Sequence, residues 1–178
     1  MEILFYINTL IRRPDRTITD LSILKSQQND YFVDIKNISD LKSIERILDF
    51  DYLEGAIIIK FNDQILMDVT TWDLVDDLWA YLLNVIENVL STGYGETYFP
   101  DQPLRLSMRS LANDLLLFEL DAPTQIKAAV PKRDFLLALI EGADYFFEKM
   151  NESFVSNVDY NGEIDMIESL RKKFLADI

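Results

Sequence analysis

The stretch Thr71–Ser91, TWDLVDDLWAYLLNVIENVLS, constrains the fold more than any other part of the chain. At about 100° per residue, Asp73, Asp76, Asp77, Ala80, Asn84, Glu87, Asn88 and Ser91 fall on one narrow strip. Apolar residues, among them both tryptophans, Trp72 and Trp79, take the rest of the circumference. So wide an apolar arc predicts a helix buried along most of its surface, with only the acidic strip left in water.

The flanking sequence supplies strands and two further helices. Ile3–Ile11 reads as a first strand, ended by Arg12-Arg13-Pro14-Asp15. Thr17–Leu24 and Tyr31–Lys36 read as two more, with a turn at Gln27-Gln28-Asn29-Asp30 between them. Ser39 is expected to cap a short helix reaching Phe50. Ala56–Phe61 and Gln64–Val69, joined by Asn62-Asp63, form a predicted hairpin. Its consecutive Ile57-Ile58-Ile59 predicts a strand covered on both faces.

Gly93 ends the long helix. Leu104–Ser110, Leu115–Leu120 and Gln125–Val130 are expected to form a three-strand meander. Pro131 opens a second long helix to about Met150, with Phe135, Leu139, Ala143, Phe146 and Met150 at helical spacing. A last amphipathic helix follows Asn161-Gly162 and carries Ile164, Ile167, Leu170 and Phe174 on one face. Runs of strands broken by helices predict an α+β fold. The expected architecture is a largely antiparallel sheet with the two long helices and the C-terminal helix packed on one face, in a single domain spanning 1–178.

Charge narrows the classes of partner. The 31 acidic and 17 basic residues leave a net charge of −14. Residues 40–101 alone carry 13 acids against 3 bases, a net of −10. Such an excess repels polyanions, so neither nucleic acid nor an anionic membrane is an expected partner, whereas a basic protein is. The chain has no Cys and no His. Disulfides, Ser-His-Asp and Cys-His catalysis, and zinc held by His or Cys are thereby excluded. MEILFYINTLIRR lacks a basic segment ahead of its apolar run and does not read as a signal peptide, so a cytoplasmic location is expected.

Motifs for other chemistry are weak. No Gly-rich phosphate loop is present, since Gly93-Tyr94-Gly95 follows a helix and has no nearby Lys. Asp159-Tyr160-Asn161-Gly162-Glu163-Ile164-Asp165 alternates oxygen side chains but has its glycine at the fourth place rather than the sixth, so it reads as a helix start. No metal or cofactor is expected. Asp73, Asp76 and Asp77 share the helix strip, and Asp49, Asp51 and Glu54 cluster just before the hairpin. Paired carboxylates of this kind can do acid–base work, although acids at a helix start also favour its dipole. Arg105 and Arg109 point the same way from one strand. They suit either an anionic ligand or acids on neighbouring strands. The loop bearing Tyr94, Glu96, Tyr98 and Phe99 fits either a partner surface or a lid on the core.

The passage from Trp72 through Tyr98-Phe99-Pro100-Asp101-Gln102-Pro103 to Phe147 resembles a pattern in small bacterial proteins, some of which look like immunity proteins of polymorphic toxins. The resemblance covers less than half of the chain. It implies a small cytosolic inhibitor that masks a toxin domain, often a basic nuclease, through an acidic face. With the charge distribution, it gives the expected function: a non-enzymatic binding protein for a basic partner. Asp49, Asp51, Glu54, Asp73, Asp76 and Asp77 form its expected contact surface, joined by Tyr94, Glu96, Tyr98, Arg105 and Arg109. Two alternatives stand beside it. One is a self-associating structural protein whose last helix docks on a twin; the other is a carboxylate-dependent hydrolase.

Overall fold

The computed structural model describes residues 4–176, so Ile3, the expected start of the first strand, lies outside the described residues. Strand β1 (Phe5–Arg12) is followed by a short helix α1 (Gln28–Tyr31), β2 (Phe32–Asp34), α2 (Ile38–Ser43), β3 (Glu54–Phe61), β4 (Gln64–Met67) and the two-residue β5 (Asp73–Leu74). These strands make one antiparallel sheet in the order β2-β1-β3-β4, with β5 also on β3. Helix α3 (Val75–Thr92) then leads into β6 (Tyr94–Tyr98), β7 (Arg105–Ser110), β8 (Leu115–Asp121) and β9 (Ile126–Pro131). These form a second antiparallel sheet in sequence order. Helices α4 (Lys132–Ser153) and α5 (Asn161–Ala176) follow.

The fold is α+β, with two antiparallel sheets in place of the expected one. They approach each other at β4 and β9, where Gln64 Nε2 reaches Lys127 O at 3.4 Å. Helix α3 packs on β6, β7 and β3, helix α4 on β1, β8 and β9, and α5 on both helices. One continuous buried cluster therefore runs from Ile11 and Ile57 through Trp79 and Phe118 to Phe174. Helices α3 and α4 each pack against strands of both sheets.

Strand β3 is covered on both sides, as Ile57-Ile58-Ile59 requires. Ile57 and Ile59 join the helix-side core, while Ile58 joins Leu10, Ala56, Leu24 and Phe32 in a smaller cluster on the reverse face. The covering segment is residues 13–31, and no strand forms over Thr17–Leu24. Its polar side chains bond locally instead: Ser22 N–H and Oγ both donate to Asp20 Oδ1, at 2.8 and 2.6 Å. Such short side-chain bonds compete with a strand ladder, and the weak apolar alternation does not outweigh them. Asn37 rather than Ser39 caps α2, accepting from Asp40 N–H at 3.2 Å. The helix stops at Ser43, short of Phe50.

The long helix begins four residues later than its periodicity suggests. Val69–Thr71 is a 3-10 turn, Asp73–Leu74 is β5, and α3 starts at Val75. It ends at Gly93, whose φ of +81° and N–H bond to Val89 O make the left-handed cap. The segment Tyr94–Tyr98, expected as a loop, is strand β6, paired along its length with β7. It crosses α3 so closely that a Cβ on Gly95 would lie 2.5 Å from Val85 O.

Helix α4 makes a similar approach to β1. A Cβ on Gly142 would lie 2.6 Å from Ile7 Cγ2 and 3.1 Å from Trp79 Cη2. Gly142→Ala should recover about 1 kcal/mol of helix propensity but meet overpacking of about 1–3 kcal/mol. The expected result is a net loss of stability, read as a lower urea midpoint with an unchanged slope. A gain of stability would mean that Ile7 and Trp79 yield freely.

Candidate functional site: an acidic surface at the start of β3

The six candidate acids separate into two groups once folded. Glu54 opens β3, and β5 pairs beside it with Glu54 opposite Leu74 and Gly55 opposite Asp73. The turn after β6 brings Asp101 and Gln102 to the same place. Glu54, Asp73, Asp101, Trp72 and Leu21 line a depression of about 220 Å³ there. Glu54 also borders a second one of about 190 Å³, with Asp49, Tyr52, Arg12 and Pro14. Asp51 adjoins it, its N–H bonded to Asp49 Oδ1 at 3.0 Å. Asp49, Asp51 and Asp101 are exposed, as is Tyr52, with 67% of its surface in water. Sequence spacing gave no sign of Asp101, because only the turn Pro100–Pro103 carries it to the start of β3.

Asp73 belongs to this place but not to its surface. It is 3% exposed and accepts three main-chain N–H bonds, from Leu74 at 2.6 Å, Asp101 at 3.0 Å and Gln102 at 2.8 Å. Gln102 Nε2 adds a bond to Trp72 O. The expectation of Asp73 on an exposed helix strip is therefore corrected. Because the helix begins at Val75, Asp73 faces inward and ties β5 to the turn of the second sheet. Burial pushes its pKa up against those bonds, and the neighbouring Asp101 carboxylate adds to the rise.

Asp76 is a second correction. It lies on α3 but is half-buried and accepts the Tyr160 hydroxyl at 2.8 Å, away from the depression. Burial raises its pKa, and burial together with its charge raises that of Tyr160. Asp77 alone of the helix acids is exposed.

Glu54 is half-buried and holds Arg12 at 2.5 Å. Of the three carboxylates that line the first depression, Glu54 is engaged by a guanidinium and Asp73 by main-chain N–H groups, while Asp101 is exposed. Among the described residues, no three acidic side chains gather as a metal ion would require. Nor, among those residues, is any helix long and apolar enough to cross a membrane.

The aromatic and arginine candidates occupy another surface, the outer face of the second sheet. Tyr94 lies opposite Arg109 and Tyr98 opposite Arg105. Arg105 Nε donates to Glu96 at 2.9 Å; its other nitrogens reach the Tyr94 hydroxyl at 3.0 Å and Asp121 at 3.4 Å. Glu96 is held below the usual carboxylate range by the Tyr94 hydroxyl and by Arg105. Arg105 thus pairs with acids of its own sheet. The Arg109 guanidinium lies over the Tyr94 ring, 5.2 Å from its centre. Phe99 is 4% exposed and closes the core, whereas Tyr98 is 63% exposed. The apolar face of α5 is also spoken for: Ile167, Leu170 and Phe174 are buried in the chain's own core.

No family model, curated protein or solved structure matches the chain significantly.

Two outcomes follow for the buried acids. Asp73→Ala orphans three main-chain donors and should cost about 2–4 kcal/mol in urea unfolding; a loss under about 0.5 kcal/mol would remove its bridging role. Asp76 has a folded pKa above its unfolded one, so its contribution to stability is present below the ordinary carboxylate pKa and fades as pH rises through the raised value. Asp76→Asn keeps an acceptor for Tyr160 and removes the charge. Its stability relative to the parent chain should be most favourable at neutral pH and shrink as the pH falls towards about 4, by urea midpoints across that range.

Proposed function

We propose that this chain is a non-enzymatic binding protein that offers an acidic surface to a basic protein partner, in the manner of an immunity protein masking a toxin domain. The observation that carries the reading is the gathering of Asp49, Asp51, Glu54 and Asp101 around two adjoining depressions. Among the described residues, Arg12 is the one cation lining either of them. Exposed Tyr52 and Leu21 stand at their rims and supply apolar contact area to an otherwise polar surface. The scaffold below is ordered by β3 and by Asp73, so little entropy need be lost there on docking. A net charge of −14 steers a cationic partner from a distance. The outer face of the second sheet, with Tyr98 and the stacked pair Tyr94 and Arg109, is the secondary contact region in this reading.

The test is retention of native-host proteins on the immobilised chain, with mass spectrometry of what is held. The expected catch is a basic protein that elutes as salt rises from about 0.05 to about 0.3 M. The triple variant Asp49→Lys, Asp51→Lys, Asp101→Lys should retain it at least about tenfold less, because all three side chains are exposed. Asp49 also accepts the Asp51 N–H, so circular dichroism verifies the variant's fold. Equal retention by the variant, or no retained protein at any salt concentration, would refute the reading.

A further inference from the structure

Strand β1 is covered along only part of its outer side. Strand β2 pairs with Leu10, Ile11 and Arg12. The last bond on that side runs from Ile35 N–H to Thr9 O, at 3.3 Å. Below it, the direction of each main-chain group follows from two bonds. Asn62 N–H donates to Leu4 O on the β3 side, and Arg13 N–H donates to Tyr31 O on the β2 side. Main-chain groups of an antiparallel strand point alternately to its two edges. Tyr6 and Asn8 therefore bond to β3, and Phe5, Ile7 and Thr9 turn their N–H and C=O groups outward.

Among the described residues, nothing bonds the N–H or C=O of Phe5 or Ile7, or the N–H of Thr9. Natural sheet edges are blunted by proline, bulges or charge. This stretch of β1 has none of these in its own sequence, FYINT. Beside the open edge lies a groove of about 290 Å³, walled by Phe5, Ile7 and Ile35 on one side and by Ala138, Gly142 and Tyr145 of α4 on the other. Among the described residues, Lys36 and Glu141 are the charged ones that line it.

We propose that this edge takes an extended segment of a partner polypeptide as an added strand. The segment continues the line of β2, alongside Phe5 to Ile7, and meets their outward N–H and C=O groups with its own; Thr9 is 1% exposed and lies outside its reach. Alternate side chains of the segment enter the groove against Ile7 and Ala138 and are small and apolar; the others face solvent. A second copy of this chain does not fit. Helix α4 lies over β1, with Gly142 against Ile7. An antiparallel pairing of two β1 strands about 5 Å apart would set both α4 helices on the same face, closer than the 8–10 Å that packed helices need. The acidic depressions lie at the other end of β1, where Arg12 meets Glu54, so this site stands or falls independently of them.

Main-chain hydrogen exchange followed by NMR tests the proposal on the intact chain. In the free protein the Ile7 amide should exchange at least about tenfold faster than those of Tyr6 and Asn8; a slowly exchanging Ile7 amide would show the edge already covered and overturn the proposal. A displayed library of random decapeptides is then panned on the chain. A selected peptide, synthesised and added back, should slow Ile7 exchange by about tenfold or more and lose its binding to Ala138→Arg, which fills the groove without touching a β1–β3 bond. The circular dichroism and melting temperature of that variant verify its fold. A library yielding no binder, or binders that leave Ile7 exchange unchanged, would count against the site whatever the variant does.

Discussion

Trp79 is the point on which the two halves of the molecule depend. Its ring is fully buried, its Nε1–H donates to Thr9 Oγ1 of β1 at 3.0 Å, and Gly142 of α4 leaves room for it. One side chain of α3 thereby fixes where the first sheet and the second long helix meet. A buried indole N–H without a partner is costly, so the pairing with Thr9 decides the rotation of α3 as well as its depth. The rest of α3 then presents Val85 to Gly95, and the second sheet follows.

The elements legible in the sequence are those whose periodicity no local polar group contests. The hairpin of β3 and β4, the glycine at the end of α3, the strands β7 to β9 and the helices α4 and α5 all follow from spacing, turn chemistry and caps. The failures have a common physical form. Over Thr17–Leu24 the side chains of Asp20 and Ser22 bond the nearby backbone more readily than a ladder would. At Thr71–Leu74 the apolar period runs on past the real start of the helix, because Trp72 is drawn into the reverse-face cluster and Asp73 into a tertiary clamp. At Tyr94–Tyr98, Gly95 beside the capping Gly93 reads as a loop residue, while it serves a crossing against Val85.

The candidate surface was legible in charge but not in geometry. The excess of acids in residues 40–101 does include the carboxylates that gather at the start of β3. Sequence alone could not separate Asp49 and Asp51, which remain in water, from Asp73 and Asp76, which take main-chain and tyrosine donors within the fold. Nor could it join Asp101 to Glu54 across the interval between them. The two arginines divide in the same way. Arg105 has acids on both neighbouring strands, and Arg109 has an aromatic ring. Alternation placed both on one face without distinguishing their neighbours.

The burial of β3 on both faces has a consequence for how the chain avoids mispairing. A strand with one wet face is held in alignment by hydrophobicity, because sliding by a single residue would turn its apolar side chains to solvent. Ile57-Ile58-Ile59 carries no such safeguard, since a slid strand would still be greasy on both sides. Discrimination against the slipped ladder then rests on a few shape- and polarity-specific matches: Arg12 with Glu54, Thr9 with Trp79, and Gly55 passing where a Cβ would lie 2.4 Å from Leu10 O. A few polar and steric checkpoints, two between β1 and β3 and one between β1 and α3, thus do the proofreading that alternation does in an ordinary half-exposed sheet.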